Sequence, residues 1–174
     1  MFVLDTCWLI EAWTNVYPQA IFPSLWEQLR VAIESRRVVL LKPVVDEVKY
    51  PEDLKIWCSS HTTVNCYNDS SVVQALNTIA DVLQREKATL LNSPKRPSTL
   101  TDAHIEQAIK NFSNGADIFL VAYAATHGGV IITLEKDHDK LYHNGQICLP
   151  YIARCCKVQL NSPIQMFQQL SFQC

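Results

Sequence analysis

Apolar residues fall along the chain in two arrangements. Phe2-Val3-Leu4, Val38 to Leu41 and Val130 to Thr133 are short, nearly unbroken runs, the pattern of strands covered on both faces, as in a parallel sheet. Between them, apolar positions recur at helical spacing. After Pro23, Leu25, Trp26, Leu29, Val31 and Ile33 predict one face of a helix with Glu27, Gln28, Arg30 and Glu34 opposite, closed by Arg36-Arg37. After Asp69 or Ser70 as cap, Val72, Val73, Leu76, Ile79, Ala80 and Leu83 predict the longest helix of the middle region.

Punctuation places the remaining elements. Thr6 is read as the cap of a helix carrying Trp8, Leu9, Ala12 and Trp13, which stops before Pro18. Lys42-Pro43 ends the second strand, and a helix is expected from about Val44 with Asp46 and Glu47 in its first turn; Asp53 to Ser60 reads as another short helix. Thr101 caps a helix to about Phe112, and Asn114-Gly115-Ala116-Asp117 turns into the apolar helix Ile118 to Thr126, which stops at Gly128-Gly129. Leu149-Pro150 opens a short helix through Cys155. Val158 to Leu160 predicts a final strand, and Ser162-Pro163 a closing helix with Ile164, Phe167 and Leu170 inward. His61 to Asn68, Asn92 to Ser98 and Lys136 to Gln146 read as loops. Strands alternating with helices over 174 residues predict a single α/β domain with a central parallel β-sheet flanked by helices.

Composition narrows the class. Fifteen basic and 17 acidic residues leave a formal net charge of -2, so no overall basic field marks a nucleic-acid partner. Seven cysteines form no CxxC pair and cannot all be bridged within one chain, so reduced thiols and a soluble, cytoplasmic protein without a membrane span are expected. Cys58, His61 and Cys66 are the nearest approach to a zinc cluster but lack a second matching pair, and buried thiols are the favoured reading. Lys95-Arg96 could touch a phosphate, although a solvated loop is favoured. His138 and His143 read as surface histidines, and Trp8, Trp13, Trp26 and Trp57 as core rather than stacking platforms.

Four carboxylates stand at equivalent places in separate βα units. Asp5, Glu47, Asp117 and Glu135 each follow a strand or open a helix at what would be one edge of a parallel sheet, where ligand crevices lie. Acids gathered there repel one another, and a divalent cation relieves the repulsion. An all-oxygen donor set suits Mg²⁺ or Mn²⁺, which also bind substrate phosphate and activate water for phosphodiester hydrolysis. The bland alternative is that each acid only caps a helix or complements its dipole.

With the segments FVLDTCWLI, PVVDEVK, GADIFLVAYAATHGGVIITLEK and ICLPYIARCCKVQLNSPIQMF, the chain resembles the PIN-domain nucleases, in particular their VapC-like toxin branch, over nearly its whole length. The resemblance implies a PIN-like sheet order and a metal-dependent ribonuclease, with Asp5, Asp117 and Glu135 as Mg²⁺ or Mn²⁺ ligands. It implies Glu47 as ligand or base and Thr133 as an orienting hydroxyl. It also implies an RNA substrate, an antitoxin partner and a homodimer. Two departures stand out: Cys7 replaces a small hydroxyl residue, and Glu135 is longer than the usual aspartate, so Asp137 or Asp139 could compete for the fourth place. A phosphatase or receiver domain built on Asp5 lacks its second acid or its lysine here. A catalytically inactive RNA- or protein-binding module on the same fold is the remaining rival.

Overall fold

Five parallel strands form the centre of the computed structural model, which describes residues 1–94 and 96–173; Lys95 of the Lys95-Arg96 pair and Cys174 lie outside the described residues. In chain order the elements are β1 (Phe2–Leu4), α1 (Thr6–Glu11) continued by a π-helical turn (Ala12–Val16), α2 (Pro23–Glu34), β2 (Val38–Leu41), α3 (Lys42–Glu47), α4 (Glu52–Ser59) and β3 (Thr63–Val64). There follow α5 (Ser70–Leu91), α6 (Asp102–Asn114), α7 (Ala116–His127), β4 (Val130–Ile132), β5 (Tyr142–His143), β6 (Gln146–Ile147), α8 (Leu149–Cys155), β7 (Gln159–Asn161) and α9 (Pro163–Leu170). No described helix is long and apolar enough to cross a membrane.

The sheet order is β3-β2-β1-β4-β7. Phe2 pairs with both Val38 and Val130, so β1 is buried between two neighbours, and β4 in turn pairs with β7 through Ile132 and Asn161. The chain builds outward from β1 on one side, then returns to build outward through β4 on the other. That reversal makes the β1–β4 boundary the topological switch point, where a crevice opens beyond the strands' carboxyl ends.

Packing explains which expectations failed. Residues 61–68 contain β3, a two-residue strand paired in parallel with Leu40 and Leu41; two residues carry no periodicity, and the neighbouring strand supplies the pairing. Lys136 to Gln146 likewise contains half of a small antiparallel hairpin, β5–β6. The final strand is shifted by one residue, to Gln159–Asn161. Val31, Val73, Ala80 and Ile164 face outward, while Ala32 and Met166 take inward places on their helices. Asp5, rather than Thr6, caps α1, its carboxylate accepting from the Cys7 N–H.

The tryptophans are structural. Trp8, Trp13 and Trp26 are buried, and Trp13, Trp26 and Trp57 pack with ring centroids 4.7–6.0 Å apart in edge or tilted contacts. Gly128 ends α7 in the left-handed conformation with φ of 67°, and Gly129 lets α7 close against the sheet. A β-carbon on Gly129 would stand 2.9 Å from Val3 Cγ2 and 3.3 Å from Ala124 Cα. Gly129→Ala is therefore expected to destabilise the fold by about 1–3 kcal/mol, because neither the central strand nor the helix backbone can retreat. A lowered denaturant midpoint at unchanged slope checks it.

Candidate functional site

At the tip of β1, Asp5 is buried and held on both sides of its carboxylate. Oδ2 accepts a 2.6 Å hydrogen bond from Thr133 Oγ1, at the tip of β4, and another from the Cys7 thiol. The Thr133 hydroxyl also accepts from the Glu135 N–H at 3.0 Å, so one side chain ties both strand tips together across the switch point. Cys7 thus stands in as a donor to the first acid. Burial and the Asp5 charge push its thiol up to about 12, which keeps the proton on sulfur for that bond.

Glu47 reaches the crevice from the far end of α3. Leu41 serves as N-cap and Pro43 takes an N-terminal helical position, where a missing N–H costs nothing. The helix therefore starts at Lys42, and Glu47 is its last residue instead of lying in its first turn. Its Oε2 accepts from Thr6 Oγ1 at 2.9 Å, and its Oε1 from the Ala116 N–H at 2.7 Å. The second bond puts a carboxylate on the positive end of α7. Gly115 makes the approach possible, since a β-carbon there would lie 3.2 Å from Glu47 Oε1.

Asp117, in the first turn of α7, is half-buried and has no hydrogen-bond donor of its own among the described residues. Burial raises its pKa to about 8, and the negative charges of Asp5, Glu47 and Glu135 raise it in the same direction. Glu135 is pushed up to about 7 by burial and by Asp5, against a hydrogen bond from the Leu149 N–H that stabilises its charge. Glu47, Asp117 and Glu135 line one cavity of about 280 Å³, together with Asn111, Asn144 and Gln146. Asp5 acts on that cavity from behind, through its charge.

The structure separates Glu135 from its two competitors. Asp137 accepts both its bonds from Arg154 Nη1 at 2.8 Å, and Asp139 accepts from Arg154 Nη2 at 3.0 Å. Neither Asp137 nor Asp139 lines the cavity that Asp117 shares with Glu135. His138 and His143 are half-buried and stack on each other, with centroids 4.0 Å apart, outside the acidic cavity. Arg96 is engaged locally by the Leu100 carbonyl and by Asp102. Cys58 and Cys66 are buried with thiols raised to about 12 and about 11 by burial, and His61 packs edge-on against Trp57.

Among the described residues, no three His, Cys, Asp or Glu side chains converge closely enough to grip one ion directly. The donor chemistry fits a hard ion that keeps much of its water and takes one or two carboxylates, as Mg²⁺ does, and not a dry all-protein cage. Asp117 and Glu135 could supply those oxygens, with Glu47 lining the same cavity. Two residues of this edge escape a reading of the sequence. Thr6 orients Glu47 instead of capping, and Asn161 is a buried amide at the tip of β7. Asn161 carries the signal that marks Asp5, a polar residue ending an apolar strand.

These features define a single α/β domain with an acidic crevice at the switch point of a five-stranded parallel sheet. By sequence profile the chain belongs to the family described as Domain of unknown function (DUF4411), which matches residues 2–174. No curated protein and no solved structure matches the chain significantly.

Proposed function

We propose that the protein is a metal-dependent ribonuclease that hydrolyses phosphodiester bonds at the Asp5, Glu47, Asp117 and Glu135 crevice. The observation that carries the reading is Asp117, a carboxyl without a donor, facing three other acids at the sheet's switch point and pushed to about 8. A structural acid would be expected to find a partner; this one sits under a repulsion that a divalent cation would relieve. When bound, Mg²⁺ or Mn²⁺ would supply charge neutralisation and an activated water.

The chain's own residues do the positioning. Thr133 holds the Asp5 carboxylate behind the cavity, and Thr6 and the Ala116 N–H fix Glu47. Asp117 Oδ and Glu135 Oε hold protons near neutrality and must release them to receive a cation, so ion binding tightens as pH rises. Asn111, Asn144 and Gln146 give the cavity neutral polar walls that can bond a sugar or phosphate without adding charge. The resemblance to VapC-like toxins adds an antitoxin partner and a homodimer to the proposal.

Purified protein incubated with structured and single-stranded RNA is expected to cut it with Mn²⁺ or Mg²⁺, and not with EDTA. Asp117→Asn is expected to lower the rate at least about 100-fold, the scale of losing an electrostatic catalytic group. One observation favours the rival, a PIN-fold binding module without catalysis: Asp5 and Glu47 already have their hydrogen bonds satisfied within the protein. RNA binding without cleavage, and without stabilisation by either ion, would decide for that rival.

A further inference from the structure

A second cavity, of about 610 Å³, lies against the tips of β4 and β7, and Glu135 forms a wall common to it and to the acidic cavity. Its lining includes Lys136, Arg154, Lys157 and Asn161. Asp137 lines the cavity too and is paired there with Arg154, which also holds Asp139, so the Arg154 and Asp137 charges offset each other. Lys136 and Lys157 have no side-chain partner among the described residues, so two ammonium groups remain available to a ligand.

Two further observations point to an anion. Asn161 is only 8% exposed; its Oδ1 accepts from Gln159 at 3.4 Å, while its amide nitrogen donates to nothing among the described residues. That nitrogen is not itself buried, since His61 Nε2 is the one buried side-chain polar atom without a partner among the described residues. It opens on the cavity that Asn161 lines, with its N–H free for an acceptor. Lys157 sits just past the end of α8 in the left-handed conformation, with φ of 58°. Glycine is the usual occupant there because an L side chain is disfavoured. Strain kept at the rim of a cavity, on a residue with a free charge, points to a use for that charge.

Resting on the nuclease reading above, we propose that this cavity holds a backbone phosphate of single-stranded RNA, next to the phosphodiester placed at the acids. Lys136 and Lys157 neutralise it, and the Asn161 amide donates to it. The pairing of an acidic reaction site with a basic neighbouring cavity lets an acidic protein bind a polyanion at one place and one orientation. The scattered remaining cations need not form a path.

The test is binding of a short, labelled, mixed-sequence RNA in EDTA over a range of salt, by wild type, Lys136→Ala, Lys157→Gly and Asp117→Asn, with cleavage measured separately in Mn²⁺. Each lysine variant is expected to bind several-fold more weakly and to flatten the log affinity against log salt slope by about 0.7, one phosphate contact on a single strand. Lys157→Gly is expected to melt no lower than wild type, so weaker binding there cannot be misfolding. Asp117→Asn is expected to lose cleavage in Mn²⁺. Lysine variants with wild-type affinity and slope, in a protein that cuts RNA, overturn this inference and leave the nuclease. Lysine-dependent binding without cleavage supports the inference and removes the chemistry. A wild type that neither binds nor cuts RNA overturns both.

Discussion

Asp117→Asn is expected to stabilise the metal-free protein at pH 8 while abolishing its response to divalent ions. A carboxyl whose pKa is raised by folding keeps its proton where the unfolded chain has already released it. For Asp117 that window runs from its ordinary 3.8 to about 8, and for Glu135 from 4.5 to about 7. The folded state binds more protons than the unfolded state throughout the window. Stability is therefore fullest below about pH 4 for these two groups and is lost as the pH climbs through their folded values.

The loss traceable to Asp117 is on the order of several kcal/mol as an upper bound, since each tenfold change in proton affinity corresponds to about 1.4 kcal/mol. Asparagine removes the titration and keeps the shape. His61 works in the opposite sense, because burial lowers its pKa and favours the folded state as the imidazole loses its proton. Asp69, lowered by its hydrogen bond from His127, adds stability that is full above the ordinary aspartate range and is lost as the pH falls below it. The slope of wild type alone therefore mixes groups, and the difference between wild type and Asp117→Asn isolates one. Thermal melts across the pH range, with EDTA and then with Mg²⁺, are expected to show the two proteins converging at low pH and diverging toward pH 8. Magnesium is expected to recover the wild type and leave the variant unmoved. Parallel curves for the two proteins would mean that Asp117 carries no electrostatic penalty and would remove the main support for a cation at this edge.

How far this edge can be read in the sequence depends on the distance over which each residue is placed. Asp5 is legible because an apolar run ends on it, and the strand's direction alone puts it at the crevice. Asp117 and Glu135 follow from the same local logic, one opening a helix and one closing a strand. Glu47 is identified as an acid at that edge, but its place within α3 depends on Leu41 capping and Pro43 being tolerated at the start, which moves the helix by two residues. The choice among Glu135, Asp137 and Asp139 cannot be made locally at all: Arg154, beyond the β5–β6 hairpin, claims the other two. Asn161 is missed for a smaller reason, a strand ended one residue early. Strand β3 has no pattern of its own and exists because Leu40 and Leu41 offer an open edge.

Thr133→Val is expected to cost about 3 kcal/mol and to reduce cleavage together with stability, while Thr133→Ser keeps both near wild type. The valine preserves the branched shape in a buried position at the tip of β4, so the change is confined to the hydroxyl. That hydroxyl donates to Asp5 Oδ2 at 2.6 Å and accepts from the Glu135 N–H at 3.0 Å. Removing it leaves a buried carboxylate short of a donor and a backbone N–H short of an acceptor. A hydrogen bond to a charged group contributes about 1.5–3 kcal/mol, and the orphaned partners add their desolvation. Asp5 keeps the Cys7 thiol and the Cys7 N–H as donors, but both belong to α1, so neither can hold β4 to β1. The coupling runs from the sheet to the site: with the bridge gone, Glu135 loses the bond that fixes its backbone, and the distance between the acids is set only by the strand ladder. Denaturant unfolding and initial cleavage rates on the same preparations separate the possibilities. A valine variant as stable and as active as wild type would show that the two strand tips are positioned without the Thr133 bridge.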